Sequence, residues 1–202
     1  MLTTIDSPSF WDEKYLNDEA NWDLKSPTPA WKDLISSGKL IHPCKLLVVG
    51  SGKGYDAIFS AKSGYEVAAL DFSPTAISIS KDLAKKENAE ILFLQNDIFK
   101  LNEYSEKFEA VFDYVTFCAI SPTRRNEYIK KIYELLKWDG KFIILLFPID
   151  ERKGGPPFSI NINEFIKETS KHFKLEYFSR NINSIKPRRG KEVLFIFKKV
   201  VK

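Results

Sequence analysis

The sequence predicts an α/β fold in which a mostly parallel sheet carries helices on both faces. From residue 45 onward, β-rich apolar runs alternate with helix-like segments, which is typical of a parallel sheet. A cluster of glycines directly follows the first of these runs, in KLLVVGSGKGYD at 45–56. The two closing β-rich segments are joined by a loop without a helix, which favours an antiparallel hairpin at one edge. The length of 202 residues suits a single domain.

The first 40 residues predict an N-terminal cap segment built of two helices. Residues 9–20 form a short helix that Ser9 caps, with aromatic residues on one side. A second helix begins at Pro29 after the capping residue Thr28 and runs to Gly38. Three of the 4 Trp residues of the chain lie in its first 31 positions. These aromatic residues are either ordinary core residues or a cover over a ligand, and we favour the cover.

The remaining elements follow in regular order. We predict seven strands, at 45–50, 66–71, 91–95, 110–118, 141–147, 173–180 and 192–199. We predict four helices among them, at 55–63, 73–86, 122–137 and 161–171. An irregular stretch rich in proline and glycine separates the fifth strand from the last helix. No internal repeat and no linker divides the chain.

The glycine cluster and the acid that ends the second strand indicate a site for a nucleoside-type cofactor. Gly50 and Gly52 allow the backbone to turn sharply and to approach a ligand closely. Asp71 follows Gly50 by 21 positions, where a carboxylate accepts hydrogen bonds from a ribose diol. The third glycine of a dinucleotide fingerprint would stand at position 55, which is Tyr55 here, so a nicotinamide cofactor is disfavoured. The alternative is an ordinary strand-to-helix loop, with Asp71 serving the helix that follows.

Composition narrows the class of protein further. The net charge of +4 is spread among acids, so we expect no nucleic-acid partner; the one basic cluster is KPRRGK at 186–191. The two cysteines, Cys44 and Cys118, cannot form a disulfide framework and fit a reducing compartment. No metal-ligand spacing, signal peptide or long apolar run is visible. We therefore expect a cytoplasmic monomer that uses no metal and binds no membrane.

Nine short motifs in order resemble one family over nearly the whole chain. The chain resembles the thiopurine methyltransferase superfamily, and within it the halide/thiol methyltransferase branch. The motifs are FWDEKY, NWDLKSPTP, VVGSGKGYD, ALDFSPTAI, NDIF, FDYVTFCAISP, LLKWDGKFIILLFP, GGPPF and RRGKE. The resemblance implies a class I methyltransferase fold, Rossmann-like, with seven strands of which the last is antiparallel. It also implies S-adenosyl-L-methionine (SAM) as the cofactor, bound at the carboxyl ends of the strands, with S-adenosyl-L-homocysteine as its product.

The resemblance assigns the cofactor residues by motif. An aromatic lid would cover SAM, the glycine turn would lie beside its methionine part, and the ends of the second and third strands would hold the ribose and the adenine edge. An aromatic lid suits a sulfonium cation, which ring faces attract by roughly 0.5–2 kcal/mol. The residues so assigned are Trp11, Tyr15, Trp22, Gly50, Gly52, Asp71, Phe72, Asp97, Ile98 and Tyr114. Asp97 also fits a simple helix N-cap.

Four residues are candidates for the part of the site that binds the methyl acceptor. Tyr114 would border the methyl donor, and Phe158 stands after GGPP where plant-like members carry Tyr. Phe158 would make the pocket more apolar, which favours a neutral or soft acceptor over an anion. Arg125 and Arg188 would either attract an anionic acceptor or form surface salt bridges.

The resemblance predicts a SAM-dependent S-methyltransferase that acts on a small thiol or sulfide, methanethiol or hydrogen sulfide. Halide, thiocyanate or thiopurine methylation is the alternative within the family, and a non-catalytic SAM-binding regulator is the alternative outside it. Because no Ser-His-Asp or Cys-His constellation is visible, catalysis would rest on positioning and on the exclusion of water.

Overall fold

The protein, described by a computed structural model over residues 4–200, contains one seven-stranded sheet in the order β3-β2-β1-β4-β5-β7-β6. The strands are β1 Lys45–Val49, β2 Glu66–Asp71, β3 Ile91–Gln95, β4 Phe108–Tyr114, β5 Leu136–Leu146, β6 Phe173–Ser179 and β7 Val193–Lys199. The helices are α1 Pro8–Leu16, α2 Pro29–Ser37, α3 Tyr55–Lys62, α4 Pro74–Lys86, α5 Arg125–Leu135 and α6 Ile162–Thr169. Short 3₁₀ turns begin at Ile98, Asn102, Pro122 and Lys186.

The sheet is parallel from β3 to β5, and β7 is antiparallel to both of its neighbours. The predicted fold class and the antiparallel last strand are therefore confirmed. The predicted hairpin of the two closing strands forms at one edge of the sheet, with β6 outermost and β7 between β5 and β6. Burial explains this order, since six of the seven residues of β7 are buried whereas only Phe173 of β6 is.

Two hydrophobic layers cover the two faces of the sheet. Helices α5 and α6 pack on one face through residues such as Tyr128 and Phe165. Helices α2 and α3 pack on the other, where Trp31 stacks on Phe112 with ring centroids 3.9 Å apart. Strands that are covered on both faces read as continuous apolar runs, which is why the strands were recognisable in the sequence.

Several predicted boundaries were wrong, among them the end of the first helix, which stops at Leu16 and not at 20, and both ends of α5, which spans Arg125–Leu135 and not 122–137. Strand β4 ends at Tyr114, not at 118, because Val115 takes a left-handed backbone with φ +62° and turns the chain. Strand β5 begins at Leu136, not at 141, because Leu136 already pairs with Phe108. Helix α1 begins at Pro8 after Ser7, so Ser9 lies inside the helix and does not cap it.

The second N-terminal helix is joined to α3 rather than capped by its own side chain. The backbone N–H and the hydroxyl of Thr28 donate to the two carboxylate oxygens of Asp56, at 2.6 Å and 2.8 Å. Burial raises the pKa of Asp56 to about 6 although both bonds oppose the rise. Helix α2 is thus a fixed part of the core, not part of a cover.

No helix within residues 4–200 has both the length and the apolar character needed to cross a membrane.

Candidate functional site

A cavity of about 700 Å³ lies at the carboxyl ends of the parallel strands. This is the edge of an open α/β sheet at which ligands bind. Its walls come from α1 and the turn that follows, the ends of β1, β2 and β3, the turn after β4, and two loops before α6 and β7. The cavity therefore joins the N-terminal segment, the sheet edge and the C-terminal loops.

The glycine turn after β1 brings bare backbone to the cavity. Gly50 has φ +55°, and a Cβ there would lie 2.1 Å from Oγ1 of Thr116. The Thr116 hydroxyl in turn donates to the carbonyl of Val49 at 3.0 Å, so it cannot move aside freely. Only glycine fits this position, as the sequence predicted. Gly52 does not line the cavity; its N–H donates to Oδ2 of Asp71 at 2.7 Å.

Asp71 ends β2 inside the cavity wall, next to Phe72. Its Oδ1 accepts from the N–H of Ser73 at 2.9 Å while Oδ2 binds Gly52, so the carboxylate is held by two backbone donors. Burial raises the pKa of Asp71, and these backbone bonds oppose the rise. A carboxylate has about four lone-pair positions, so each oxygen can accept a further bond from a ligand diol.

Asp97 and Ile98 follow β3 and line the same cavity. The Asp97 Oδ1 accepts from the N–H of Phe99 at 3.0 Å and caps a short 3₁₀ turn. The helix-cap interpretation of Asp97 is therefore confirmed, and it does not conflict with a ligand role because the residue still faces the cavity.

An aromatic lid, defined here as residues 8–22, covers one side of the cavity. Trp11, Tyr15 and Trp22 all line it, with ring centroids of Trp22 at 5.5 Å from Trp11 and 5.7 Å from Tyr15. The Trp22 indole N–H donates to the Tyr15 hydroxyl at 3.2 Å. Helix α1 buries none of its residues, whereas Trp31 is only 1% exposed and lies in the core. The cover is thus narrower than the predicted cap segment of residues 1–40.

Two polar contacts, which sequence reasoning missed, hold the lid in place. Oδ1 of Asp12 accepts from the hydroxyl of Ser73 at 2.6 Å and from the N–H of Thr75 at 2.9 Å, at the start of α4. Burial works to raise the pKa of Asp12, but these bonds outweigh it and the pKa is lowered. At the other end, directly after the lid, Nζ of Lys53 lies 3.0 Å from Oδ2 of Asp23, and this bond raises the pKa of Lys53. Neither pair has a sequence signature, because the partners are brought together only by the fold.

Arg188 forms part of the cavity wall and is only 7% exposed. One terminal nitrogen donates to the carbonyl of Trp22 at 3.0 Å, and the other donates to the hydroxyl of Tyr114. Its guanidinium lies over the ring of Phe147, 5.0 Å from the centroid. Within residues 4–200 no carboxylate forms an ion pair with it at 4.0 Å or less. The surface salt bridge considered for Arg188 is therefore wrong.

A second group of charges lies beside Arg188 at the same wall. Asp150 accepts from Arg152 at 2.6 Å and pairs with Lys191 at 3.2 Å, and both cations line the cavity. Burial works to raise the pKa of Asp150, but its two cationic partners outweigh it and lower the pKa. One carboxylate thus joins the two C-terminal loops and leaves this wall with an excess of positive charge.

Three predicted acceptor residues lie outside the cavity lining, namely Tyr114, Phe158 and Arg125. Tyr114 is 8% exposed and directs its hydroxyl to Arg188 and to Oε1 of Glu192. The N–H of Phe158 donates to the carbonyl of Cys118 at 2.8 Å, and its ring lies 2.5 Å from the place of a Cβ on Gly155. A direct contact of Tyr114 or Phe158 with an acceptor stays a prediction.

Arg125 is part of the loop structure and not of a surface salt bridge. It is partly buried, and its terminal nitrogens donate to the carbonyls of Ser159 at 2.9 Å and of Phe158 at 3.2 Å. Burial lowers its pKa. Arg125 therefore holds the loop before α6 from behind the cavity, so of the two predicted arginines only Arg188 lines the cavity.

Cys118 is buried, with 2% of its surface exposed, and it lines the cavity. Its thiol donates to the carbonyl of Val115 at 3.1 Å, and burial raises its pKa to about 12. The thiol is thus held in its protonated form. Across residues 4–200, no group of three or more His, Cys, Asp or Glu side chains is arranged to hold a metal ion.

Comparison with known proteins identifies relatives of the whole chain. The sequence model of the family described as thiopurine S-methyltransferase matches residues 6–201. "Probable thiol methyltransferase 2" of Arabidopsis thaliana is 36% identical over 201 residues, which cover 98% of this chain and 88% of that protein. "Thiocyanate methyltransferase 1" of the same plant is 34% identical over 193 residues, which cover 94% and 84%.

A solved structure supports the fold alone. The Burkholderia thailandensis 1,6-didemethyltoxoflavin-N1-methyltransferase, solved with bound 1,6-didemethyltoxoflavin and S-adenosylhomocysteine, superposes with a TM-score of 0.73 at 19% identity. The match covers 96% of this chain and 87% of that one. The same seven-stranded framework therefore occurs in proteins of low sequence similarity.

Proposed function

The chain belongs to the thiopurine S-methyltransferase family, and from that premise we propose that it is a SAM-dependent S-methyltransferase of small thiols, methanethiol or hydrogen sulfide. The observation that carries the proposal is that one cavity is lined by two unlike sets of residues. The glycine turn, Asp71 and the aromatic lid form one set, and the cations Arg188, Arg152 and Lys191 form the other. A cationic nucleoside cofactor and an electron-rich acceptor would each find a matching surface.

The residues present fit SAM. Gly50 brings backbone to the cavity lining, and Asp71 offers acceptors for a ribose diol. Trp11, Tyr15 and Trp22 offer ring faces to a sulfonium. Asp97 would accept from an exocyclic amine at the end of β3. When bound, SAM supplies an electrophilic methyl group.

The protein's own contribution is binding, orientation and the exclusion of water. A thiolate is already a strong nucleophile, so a positively charged wall that holds the acceptor as its anion removes the need for a strong base. Arg188, with no carboxylate partner of its own in the described chain, supplies that charge. The lid keeps water away from the reacting sulfur and aligns donor and acceptor. Methyl transfer to methanethiolate would give dimethyl sulfide and methyl transfer to hydrosulfide would give methanethiol, with S-adenosyl-L-homocysteine as the leaving group in both cases.

Methylation of thiocyanate or halide is the second candidate, and the cationic wall favours it. Arg152 and Lys191 flank Arg188, and all three line the cavity. A relative that is 34% identical is named a thiocyanate methyltransferase. The apolar character expected from Phe158 does not bear directly on this choice, because that residue is outside the lining.

An acceptor panel tests the proposal. Purified protein with SAM is given methanethiol, sulfide, iodide and thiocyanate, and methylated products are measured by headspace gas chromatography. We expect dimethyl sulfide from methanethiol, with a higher kcat/KM for thiols than for iodide or thiocyanate. A preference for the anions would favour the second candidate. Tight binding of SAM by calorimetry without any methylated product would instead indicate a SAM-binding regulator.

A further inference from the structure

We infer that Glu192, acting through the hydroxyl of Tyr114, is a positioning residue that aims Arg188 at an anionic acceptor in the cavity. The inference rests on the proposed function, since it names the group that would hold the acceptor. It does not rest on turnover, because an anion can bind without being methylated.

The first observation is a buried chain of three polar side chains, in which Tyr114 at the end of β4 joins two residues of the loop before β7. The Tyr114 hydroxyl lies 2.7 Å from Oε1 of Glu192 and also contacts a terminal nitrogen of Arg188. The three residues are 8%, 3% and 7% exposed, in the order Tyr114, Glu192, Arg188. Ser184 donates to the second carboxylate oxygen of Glu192. A buried carboxylate and a buried guanidinium thus compensate each other across one neutral hydroxyl.

The second observation is the direction of the hydrogen bonds. A guanidinium carries donors only, so the Tyr114 oxygen must accept from Arg188. The hydroxyl has a single hydrogen, which it donates in a hydrogen bond to Glu192, since a carboxylate can only accept. Glu192 therefore fixes the lone pairs of Tyr114 toward Arg188. Without an acceptor oxygen at this place the hydroxyl could turn its hydrogen elsewhere, and the orientation of Arg188 would no longer be fixed from this side.

The third observation is that no direct ion pair with Glu192 neutralises the positive charge of Arg188. A direct ion pair with Glu192 would have occupied the fork of the guanidinium and neutralised it. Instead the carboxylate lies one hydroxyl away, so the charge of Arg188 faces the cavity with Phe147 beneath it. An isolated anion loses much of its hydration on entering such a cavity, and a buried cation at a fixed place offsets that loss. Thiolate, hydrosulfide and thiocyanate share this requirement.

Sodium thiocyanate is the probe for the test, because it is an anion at every pH used. Its affinity for the protein saturated with S-adenosyl-L-homocysteine is measured by calorimetry, with chloride holding the ionic strength constant. We expect Tyr114→Phe to weaken thiocyanate binding about tenfold or more, as for a lost hydrogen bond to a charged group. Glu192→Gln keeps an oxygen that accepts from Tyr114, so we expect it to retain affinity within about threefold of the wild type, whereas Glu192→Leu keeps no acceptor and should weaken binding as Tyr114→Phe does. Thiocyanate affinity of Glu192→Leu equal to that of the wild type would overturn the role of Glu192.

A double-mutant cycle separates positioning from a general effect on stability. We expect Arg188→Met to abolish most thiocyanate binding, and Tyr114→Phe to add less than about a further twofold in that background. Affinity for S-adenosyl-L-homocysteine, measured on each variant, shows that it has folded; Arg188→Lys replaces Arg188→Met if the latter has not. In the kinetic assay, KM for the acceptor should rise more than kcat falls.

The matched control is Tyr128→Phe. The Tyr128 hydroxyl also lies 2.7 Å from a buried carboxylate, that of Asp113, but Tyr128 does not line the cavity. It should lower thermal stability and leave thiocyanate affinity unchanged. The inference is overturned if thiocyanate does not bind the wild type, if Tyr114→Phe binds it as the wild type does, or if the effects of Tyr114→Phe and Arg188→Met add. Failure of every acceptor in the panel, with the thiocyanate results as expected, would instead overturn the proposed reaction alone.

Discussion

Asp71 shows how one side chain can serve the fold and a ligand together. Its two oxygens hold the glycine turn and the start of α4 through backbone N–H groups. The same carboxylate faces the cavity, so a ribose would meet an acceptor already fixed in place. This preorganisation limits the conformational cost of binding.

We expect Asp71→Asn to weaken SAM binding by roughly 1–3 kcal/mol, because a charged acceptor for the ribose hydroxyls becomes neutral. Calorimetry with purified protein measures this change. Asp82→Asn, which alters an exposed aspartate on α4, is the control and should bind SAM normally. SAM affinity that is the same in all three proteins would remove Asp71 from the site.

Single residues were predictable from sequence where the motif is local. Gly50 and Asp71 belong to one strand-turn-helix-strand unit, so their spacing fixes where they meet. Tyr114 and Phe158 were placed in the acceptor pocket by motif alone. The direction of their side chains depends on partners more than 30 positions away, Glu192 and Cys118, and no local pattern reports such partners.

At the scale of elements, the lid and α2 differ although they are neighbours in sequence. Helix α1 buries no residue and is held by Asp12 at its side, whereas α2 buries Ala30, Trp31 and Leu34. An element with few buried contacts opens at low free-energy cost. The lid is therefore the part of the chain expected to move when a ligand enters or leaves.

We expect Trp11→Ala and Trp22→Ala to weaken SAM binding and turnover while changing thermal stability little. Trp31→Ala is the matched control, since its indole is buried in the core and its loss should cost roughly 3–5 kcal/mol of stability. Calorimetry for SAM and thermal unfolding of the three variants decide the matter. If the lid variants lose as much stability as Trp31→Ala and keep their SAM affinity, they are core residues.

Lid closure and anion binding should be coupled, because Arg188 donates to the carbonyl of Trp22 in the lid. We expect thiocyanate to bind more tightly when S-adenosyl-L-homocysteine is present, and the reverse by the same factor. Calorimetric titrations in both orders measure the factor. Asp12→Ala, which frees the lid from α4, should reduce it. Equal thiocyanate affinity with and without S-adenosyl-L-homocysteine would argue against coupling.

The order of elements was readable in the sequence because each strand is a short apolar run with turn residues at its ends. What could not be read was the position of β7 between β5 and β6, since pairing depends on which face of each strand is covered. The lid was recognised as aromatic, but its division from α2 rests on Thr28 and Asp56, which lie 28 positions apart.

At the scale of the whole molecule, buried carboxylates make stability depend on pH. Burial raises the pKa of both Asp56 and Asp113 to about 6, above the ordinary value of 3.8. Between these values the folded protein binds more protons than the unfolded chain. The free energy of unfolding therefore falls as pH rises from about 4 to about 6, and then levels off.

We expect the melting temperature to rise when the pH is lowered from 7 to 5. The free energy of unfolding should gain about 1 kcal/mol from each carboxylate, and each such gain corresponds to about 2–4 °C in melting temperature. Carboxyls whose pKa is lowered, such as those of Asp12 and Asp150, begin to lose their contribution only near pH 5 and have little effect between pH 7 and 5. Thermal unfolding across the range measures the slope, which Asp56→Asn should reduce. A melting temperature that falls from pH 7 to pH 5 would contradict the assignment.

The insertion of β7 between β5 and β6 has a consequence for synthesis on the ribosome. In this sheet β6 pairs with β7 alone, so residues 173–179 emerge before the strand that joins them to the sheet exists. Until then Tyr177 and Phe178 belong to an unpaired strand, the kind of segment that associates with other chains. Arg188 and Glu192 directly precede β7, so the acceptor wall would be the last part of the cavity to form. A nascent chain could thus assemble the glycine turn and Asp71 well before it has any means of holding an anion.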